Sequence, residues 1–507
     1  MLAGSINTNV DALYALNALN NTGNTTNTLE QELSSGLAIN SPADNPAGYI
    51  AAQGFTSQLG GDQQATSNVN QAISLVQTAD GALTQQINLL QQIQNIANQA
   101  AGGINNSQQL QSLQQVVSQL QTQVTTTAQQ ATFNGQNLLD GTFGAQFQVG
   151  ASVGQTIGLS IPSTEATQLG ANQSSAASGT SAVYTVNGSG SGGVGDVSGN
   201  SYAITTAGAG AFTATGTTPV VISGSAGNAN LTVSSTTQSA QDIAASVNAL
   251  QGQTGVTASA DTSVAFTVTA GSISLVLGNG NDGTGAQTNA VNINATVGTV
   301  SQSGLQNLVS AINQQTGSTG VTASVNSSNQ LVLTQAQGDN ISITGFAGTG
   351  TLTAGGSTQI TLGAGTGDKT SATVQGLVTL QSNQSFALSA AGSDIGLGTA
   401  SSLSTLAGVN VSTVSGANSA LNVVSVALQQ LENVGAQLGA VQQRLQATAS
   451  NLQTTETNLT AAQSVVQDAN IPQVTTELTQ QQILQQAGVS ALSQSSALQQ
   501  SFLKLLQ

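Results

Sequence analysis

Residues 421–459, LNVVSVALQQLENVGAQLGAVQQRLQATASNLQTTETNL, decide the fold. Steps of three and four alternate without a break through Leu421, Val424, Leu428, Leu431, Gly435, Leu438, Gln442, Leu445, Ala449, Leu452, Glu456 and Leu459. Apolar side chains fill this row except at Gly435, Gln442 and Glu456. A helix over this stretch is about 58 Å long at the α-helical rise. Its stripe is as narrow as a coiled-coil seam, so it must lie against other helices.

The partners are expected at the other end of the chain. Residues 1–35 read as an amphipathic helix carrying Ile6, Val10 and Leu13 in one row, Leu16 and Leu19 beside it, and Leu29 and Leu33 beyond an Asn/Thr-rich middle. That middle has weak helix propensity, so the helix needs partners to be ordered. A second helix is expected from about Asn68 to Ala101, where Val76, Leu83, Leu90 and Ala97 recur at sevens with Ile73, Ile87 and Ile93 on the same face. A third follows Gly102 and carries Leu110, Leu113, Val117, Leu120 and Val124. A last helix begins after Asp468–Pro472, with Leu484, Ala487, Ala491, Leu498, Phe502 and Leu505 as its apolar row. Helices from both chain ends, packed at shallow angles, make a rod-like bundle.

Between the helical ends the signals change. Residues 133–161 alternate apolar side chains at Phe147, Val149 and Ala151, with turns expected at Gly144 and Gly154, and read as β-hairpins. From 177 to 401 the chain turns to Gly, Ser, Thr, Ala and Val in short alternating runs such as Leu331–Leu333, as β-rich domains do. An internal repeat lies here, over 239–261 and 303–326, both copies ending in GVTAS. Each copy reads as one short helix on a small sheet, a duplicated structural module. The expected class is therefore α+β multidomain: long N- and C-terminal helices paired into a coiled-coil-like rod with a β-hairpin, and β-rich domains inserted between them.

Composition excludes several functions. Among 507 residues, apolar types make up 38% and charged types 4%, with three cations, Lys369, Arg444 and Lys504, and a formal charge of −16. No clustered cations exist for phosphates or an anionic membrane, and no apolar run approaches a membrane span. The N-terminus lacks the positive residue and apolar block of a cleaved signal peptide. Cysteine and histidine are absent, which removes thiolate, imidazole and disulfide chemistry. Glu30 and Glu32, a carboxylate pair that could in principle serve glycosidic hydrolysis, point to different helix faces and read as solvated surface. GNGNDGTG at 278–285 has the spacing of one calcium-repeat turn, but a single carboxylate, Asp282, suits a tight hairpin turn better. No catalytic, cofactor or metal residue is assigned.

Several of these stretches resemble the bacterial flagellins. LSSGLAINSPADNPAGY (33–49) is similar to that family's LSSGLRINSAxDDAAG run, departing at Ala38, Asn45 and Pro46; INTN (6–9) resembles the family's start. FNGQNLLDG and QVGASVGQTI within 133–161 resemble the family's hairpin, and LGAVQQRL (438–445) and QILQQAGVSALSQSS (482–496) its C-terminal motifs. The likeness covers roughly 1–176 and 402–507. It implies a subunit of the flagellar filament, secreted to the extracellular flagellum. Residues 1–44 and 463–507 would then form the inner core, 45–176 and 402–462 the helical rod with its hairpin, and 177–401 the variable outer region. Subunit packing falls on Ile6, Val10, Leu13, Leu33, Leu83, Leu90, Leu428, Leu445, Leu484, Leu498, Phe502 and Leu505. The resemblance also implies a homopolymer whose other partners are a hook-junction protein, a filament cap, an export chaperone and the flagellar type III export apparatus. Where the family carries a charged patch read by an innate immune receptor, this chain has Gln92, Gln94 and Asn95, with Ile96 still apolar. A hook–filament junction protein shares the terminal motifs, and a secreted adhesin would use the β region but leave both helical ends unexplained. The missing charge carries a further expectation. Protonating every carboxylate moves the chain from −16 to about +3, whereas most chains of this length become strongly cationic in acid.

Overall fold

The computed structural model describes residues 9–102, 105–175, 182–186, 204–207, 219–232, 239–279, 288–326, 328–354, 360–365, 368, 370–389 and 397–505. Helices among them are, in chain order, α1 (Val10–Ser35), α2 (Pro46–Ala101), α3 (Ser107–Gln130), α4 (Ala240–Ala249), α5 (Gln251–Thr254), α6 (Gln306–Asn313), α7 (Thr316–Thr319), α8 (Val414–Gln467) and α9 (Ile471–Leu505). The chain divides into two compact units: one of residues 1–76, 144–160 and 439–507, the other of 77–143 and 161–438.

The quoted stretch lies wholly inside α8, and its seam is real. Val424, Leu431, Leu438, Leu445 and Leu452 are buried; Leu421, Leu428, Gly435, Gln442, Ala449, Glu456 and Leu459 are half-buried. The partner helix α2 buries Ala65, Val69, Ala72, Val76, Ala79, Leu83, Gln86, Leu90, Ile93, Ala97 and Ala100, again alternating fours and threes. Ile73 and Ile87 sit half-buried beside this row, not in it as expected. Ala72 and Gln86 take the seam positions, because the stripe follows spacing and not hydrophobicity. α2 also starts at Pro46, far upstream of the expected Asn68. Four glycines in its first turns (48, 54, 60 and 61) lower local propensity, and tertiary packing overrides that. Proline at the first helical position has no N–H to lose, and the Asn45 side chain accepts from the Gly48 N–H at 3.0 Å.

In the first unit, α2 and α8 run antiparallel. The Gln63 amide donates to Glu456 at 3.1 Å and the Gln463 amide to Thr56 Oγ1 at 3.0 Å. Strands Gly144–Gln148 and Thr156–Ser160 form the hairpin, in register from Gly144↔Ser160 to Gln148↔Thr156. Gly144 is therefore a strand residue and not the turn expected there; the turn lies between Gln148 and Thr156, with Gly154 at φ +88°. Asn68 Nδ2 donates to the Gln148 carbonyl at 3.1 Å. Gly61 lets the hairpin close in, since a Cβ there would lie 2.7 Å from that of Ala151.

In the second unit, the buried Gln86 amide donates to the carbonyls of Val124 (3.1 Å) and Thr164 (3.2 Å), fixing α3 to α2. Gln121 of α3 donates to the carbonyls of Leu406 (2.7 Å) and Val409 (3.1 Å). An eight-stranded antiparallel sheet centres on the long strand Thr257–Val268. A six-stranded sheet runs in the order 288–297, 271–279, 341–348, 372–375, 182–186, 204–207. The repeat appears as two helix–turn–strand modules, 65 positions apart. Asn248 brackets Ala258 with two hydrogen bonds of 2.9 and 2.8 Å, and Asn313 brackets Ala323 at 2.9 and 2.7 Å. Gly255 (φ +70°) and Gly320 (φ +68°) end α5 and α7 in the left-handed conformation. Most of GNGNDGTG, including Asp282, lies outside the described residues.

Candidate subunit-packing surface

The 33–49 motif is a connector that ties the two chain ends together. α1 stops at Gly36, whose φ of +76° is the left-handed cap that glycine adopts freely; its N–H donates to the Glu32 carbonyl at 2.8 Å. The next residues pair with the α8–α9 connector: Ala38 N–H to the Gln467 carbonyl at 2.7 Å, and Ala469 N–H to the Gly36 carbonyl at 2.9 Å. Asp44 closes the turn by accepting from the N–H groups of Ser41 (2.7 Å) and Asn40 (2.9 Å). Those two backbone donors hold the Asp44 carboxyl below its ordinary pKa, the Ser41 N–H contributing most. Glu32, facing Asp44 and Glu477, is raised instead, by partial burial first and by those two carboxylates second.

From this clasp α1 and α9 run antiparallel. Leu19 Cδ1 lies beside Gly488, and Ser495 Oγ donates to Asn9 Oδ1 at 3.2 Å. Asn9 also caps α1, accepting from the Ala12 N–H at 2.9 Å. Threonine hydroxyls on α1 turn back onto carbonyls four residues earlier, as at Thr22, Thr25 and Thr26, which satisfies polar groups without any charged residue.

This pair buries little. On α1, Leu29 is buried, while Val10, Leu13, Leu16 and Leu33 are exposed and Tyr14 is 72% exposed. On α9, Val474 is buried, while Ile471, Ile483 (61%), Leu484, Val489 and Leu498 are exposed. Ile483 and Leu484 border an open groove of ≈ 500 Å³ with Thr475, Thr476, Thr479 and Gln480. Exposed apolar side chains concentrated on one helix pair make it the candidate association surface.

The twelve positions named from sequence thus separate. Leu83, Leu90 and Leu445 are buried within the chain's own helices and Leu428 is half-buried. Val10, Leu13, Leu33, Leu484 and Leu498 stand exposed on α1 and α9. Ile6 lies outside the described residues, as do the side chains of Phe502 and Leu505. Gln92 and Asn95 are exposed on α2, with Gln94 and Ile96 half-buried. Sequence reasoning passed over Tyr14, Ile50, Val465, Ile483 and Val489, which share the helical spacing and were legible, and Val153, fully exposed at the hairpin tip, which no periodicity signals. Arg444 is exposed and pairs with no carboxylate among the described residues. Those residues hold no group of three or more carboxylates placed to bind a metal, and none of their helices is long and apolar enough to cross a membrane.

Internally packed helices joined to a terminal pair whose apolar faces remain open define a subunit built to polymerise. Comparison with known proteins identifies which polymer. The sequence model of the bacterial flagellin N-terminal helical region matches residues 6–144, that of the C-terminal helical region matches 421–506, and the flagellin hook IN motif matches 279–337, which contains the second repeat module. The B-type flagellin of Pseudomonas aeruginosa is 33% identical over 529 aligned positions, covering all of both chains. Flagellin B of Vibrio cholerae is 27% identical over 508, again covering all of both. The chain belongs to the bacterial flagellin family, and it is a structural subunit of the flagellar filament. FliC from Burkholderia pseudomallei superposes at a TM-score of 0.30 (20% identity, 74% of this chain, 99% of that one). A flagellar hook-associated protein from Legionella pneumophila gives 0.33 (9% identity, 81% and 97%). Scores this low separate nothing between filament and junction roles; the full-length sequence matches do.

Proposed function

We propose that the open faces of α1 and α9 are completed by neighbouring subunits, so that residues 1–44 and 463–507 form the inner core of the filament. Residues 45–176 and 402–462 then form the helical shell with its hairpin, and 177–401 the outer region. The observation that carries this reading is the contrast in burial: α2 and α8 bury their seams within one chain, while Val10, Leu13, Leu33, Leu484 and Leu498 stand exposed. Ile6, Phe502 and Leu505 continue the same rows in sequence. Ordering the ends costs conformational entropy, which burial of those side chains on assembly offsets.

Family membership supports four further partners: a hook-junction protein, a filament cap, an export chaperone and the flagellar type III export apparatus. A chain without cysteine passes such an apparatus unfolded with no risk of cross-linking. At the receptor-matching positions, neutral Gln92, Gln94 and Asn95 replace charge-assisted hydrogen bonds, which are about twice as strong as neutral ones. A receptor reporter assay should therefore read weak potency, and full potency would remove this part of the reading. Assembly itself is tested by adding filament seeds to purified protein and viewing the product by electron microscopy. Long helical filaments are expected; short terminal rings or no polymer would overturn the assignment.

A further inference from the structure

The strand Thr257–Val268 belongs to two cores. Its Ala258 packs with Val220, Ile222, Ile243 and Leu380, while its Val264, Phe266 and Val268 pack with Ile273, Leu333 and Ile343. Its pairing changes at the same point: Asp261 is the last residue opposite Leu377–Gln381, and Thr262 the first opposite Leu331–Gln335. The joint between the two modules is therefore at residues 260–262.

Three segments close on that point. A Cβ on Gly338 would lie 2.3 Å from that of Ala260, and one on Gly376 would lie 2.5 Å from Thr262 Oγ1 and 2.9 Å from Ala240 Cβ. Thr262 Oγ1 donates to the Asp339 carbonyl at 2.6 Å, and Gln241 N–H donates to the Gly338 carbonyl at 3.2 Å. Into this contact the described residues place carboxyl groups and no cation. Asp242 accepts from the Ser239 N–H and hydroxyl at the start of α4. Half-buried Asp339 stands near it, and the Gln241 amide, turned to present its nitrogen, reaches both Asp339 oxygens at 3.2 and 3.3 Å. Half-buried Asp261 projects from the opposite face of the strand, the face on which Ser259 accepts from Asn422 of α8.

None of the elements that pack here offers a countercharge. α4, α8 as far as Leu431, and the strands 257–268, 331–335, 341–348, 372–375 and 377–382 contain no Lys, Arg or His, and their only acids are Asp242 and Asp261. Charge held at such a place costs free energy unless it is paired or removed by a proton. Desolvation raises the Asp339 pKa, with Asp242 adding to it against the Ser239 hydrogen bond; desolvation alone raises Asp261.

We propose that this joint is operated by protons: protonation of Asp339, beside Asp242, and of Asp261 fastens the two modules to each other, and ionisation of Asp339 and Asp261 at neutral pH loosens them. Thermodynamic linkage sets the sign. A carboxyl whose pKa is higher in the closed state binds protons more tightly there, so closure strengthens as pH falls from neutral towards the ordinary carboxylate range. Below that range the closed and open states are equally protonated, and the gain stops.

Hydrogen exchange of the full chain, read by mass spectrometry over peptides 239–268 and 331–342 and corrected for intrinsic rates, tests this at pH 7 and pH 4.5. Opening of these peptides should be about tenfold rarer at the lower pH. The triple variant Asp242→Asn, Asp261→Asn, Asp339→Asn should lose the difference and be protected at pH 7 as the parent is at pH 4.5. Asp339→Asn alone should remove part of it, and Asp80→Asn on α2 none. Equal protection of the parent at both pH values would overturn the proposal, whether or not the triple variant folds. A pH difference that persists in Asp339→Asn at its full size would also overturn it.

Discussion

The pair α2/α8 and the pair α1/α9 are written in one chemical language and end in opposite states. Both use apolar residues in steps of three and four on a background of Gln, Asn, Ser and Thr. Both run antiparallel, tied by amide and hydroxyl hydrogen bonds instead of ion pairs. Yet Leu90 and Leu445 are fully buried, while Leu13 and Leu484 are about half exposed. The difference is one of partners: α2 is joined to the hairpin, α3 and α8, whereas among the described residues α1 and α9 pack mainly on each other and the connector. Periodicity specifies a face, and the number of neighbours in the chain decides whether that face is buried within one molecule or stands exposed.

The contrast is most sharply broken by trading identical substitutions between the two pairs. Leu445→Ala should destabilise the monomer by about 2–5 kcal/mol, since it opens a cavity in a closed seam. Leu484→Ala should move the monomer's urea midpoint by the equivalent of less than about 0.5 kcal/mol. The same Leu484→Ala change should weaken assembly roughly tenfold to a hundredfold, the worth of burying one leucine. A critical concentration for polymerisation that responds to neither variant would end the division between inward and outward faces.

A smaller effect is expected at the clasp between the pairs. Gly36→Ala places a Cβ at φ +76°, where L-residues pay about 1–2 kcal/mol. Because nothing crowds the site, that cost is conformational, and it should appear as a lower melting temperature for α1 and α9 with the α2/α8 signal unchanged. A melting curve identical to the parent's would show that the α1 cap does not set the geometry of the terminal pair.

The smallest effect is in pH. Glu32 has a raised pKa in the folded chain, so pairing of α1 and α9 should strengthen as pH falls from neutral through that raised value. Asp44 is depressed, so the stability it contributes is present above its ordinary pKa and is lost as pH falls through the lower folded value. Thermal melts from pH 7 to pH 2 should therefore pass through a maximum in mild acid. Glu32→Gln should flatten the rise and Asp44→Asn the fall; a monotonic profile in the parent would contradict both assignments. Because the whole chain moves only from −16 to about +3, this local pattern is not masked by general repulsion.

Much of this molecule could be read before any coordinate was known, and the reason is regularity. The alternation from Leu421 to Leu459 requires a helix with a narrow seam, because no other backbone repeat brings those residues to one side. The internal repeat likewise specified a duplicated module, and its Asn–Ala brackets and left-handed glycines follow from matching sequence. Tertiary structure alone decided the rest. It began α2 at Pro46 in spite of four glycines, placed Gln86 in an apolar seam because two carbonyls needed its amide, and made Gly144 a strand residue through pairing with Ser160. Local sequence encodes which side of an element is apolar, through the angle between successive side chains. What that side meets depends on segments hundreds of residues away, and so does whether Leu445 ends buried and Leu484 exposed, because burial belongs to the contact between two surfaces and not to either one.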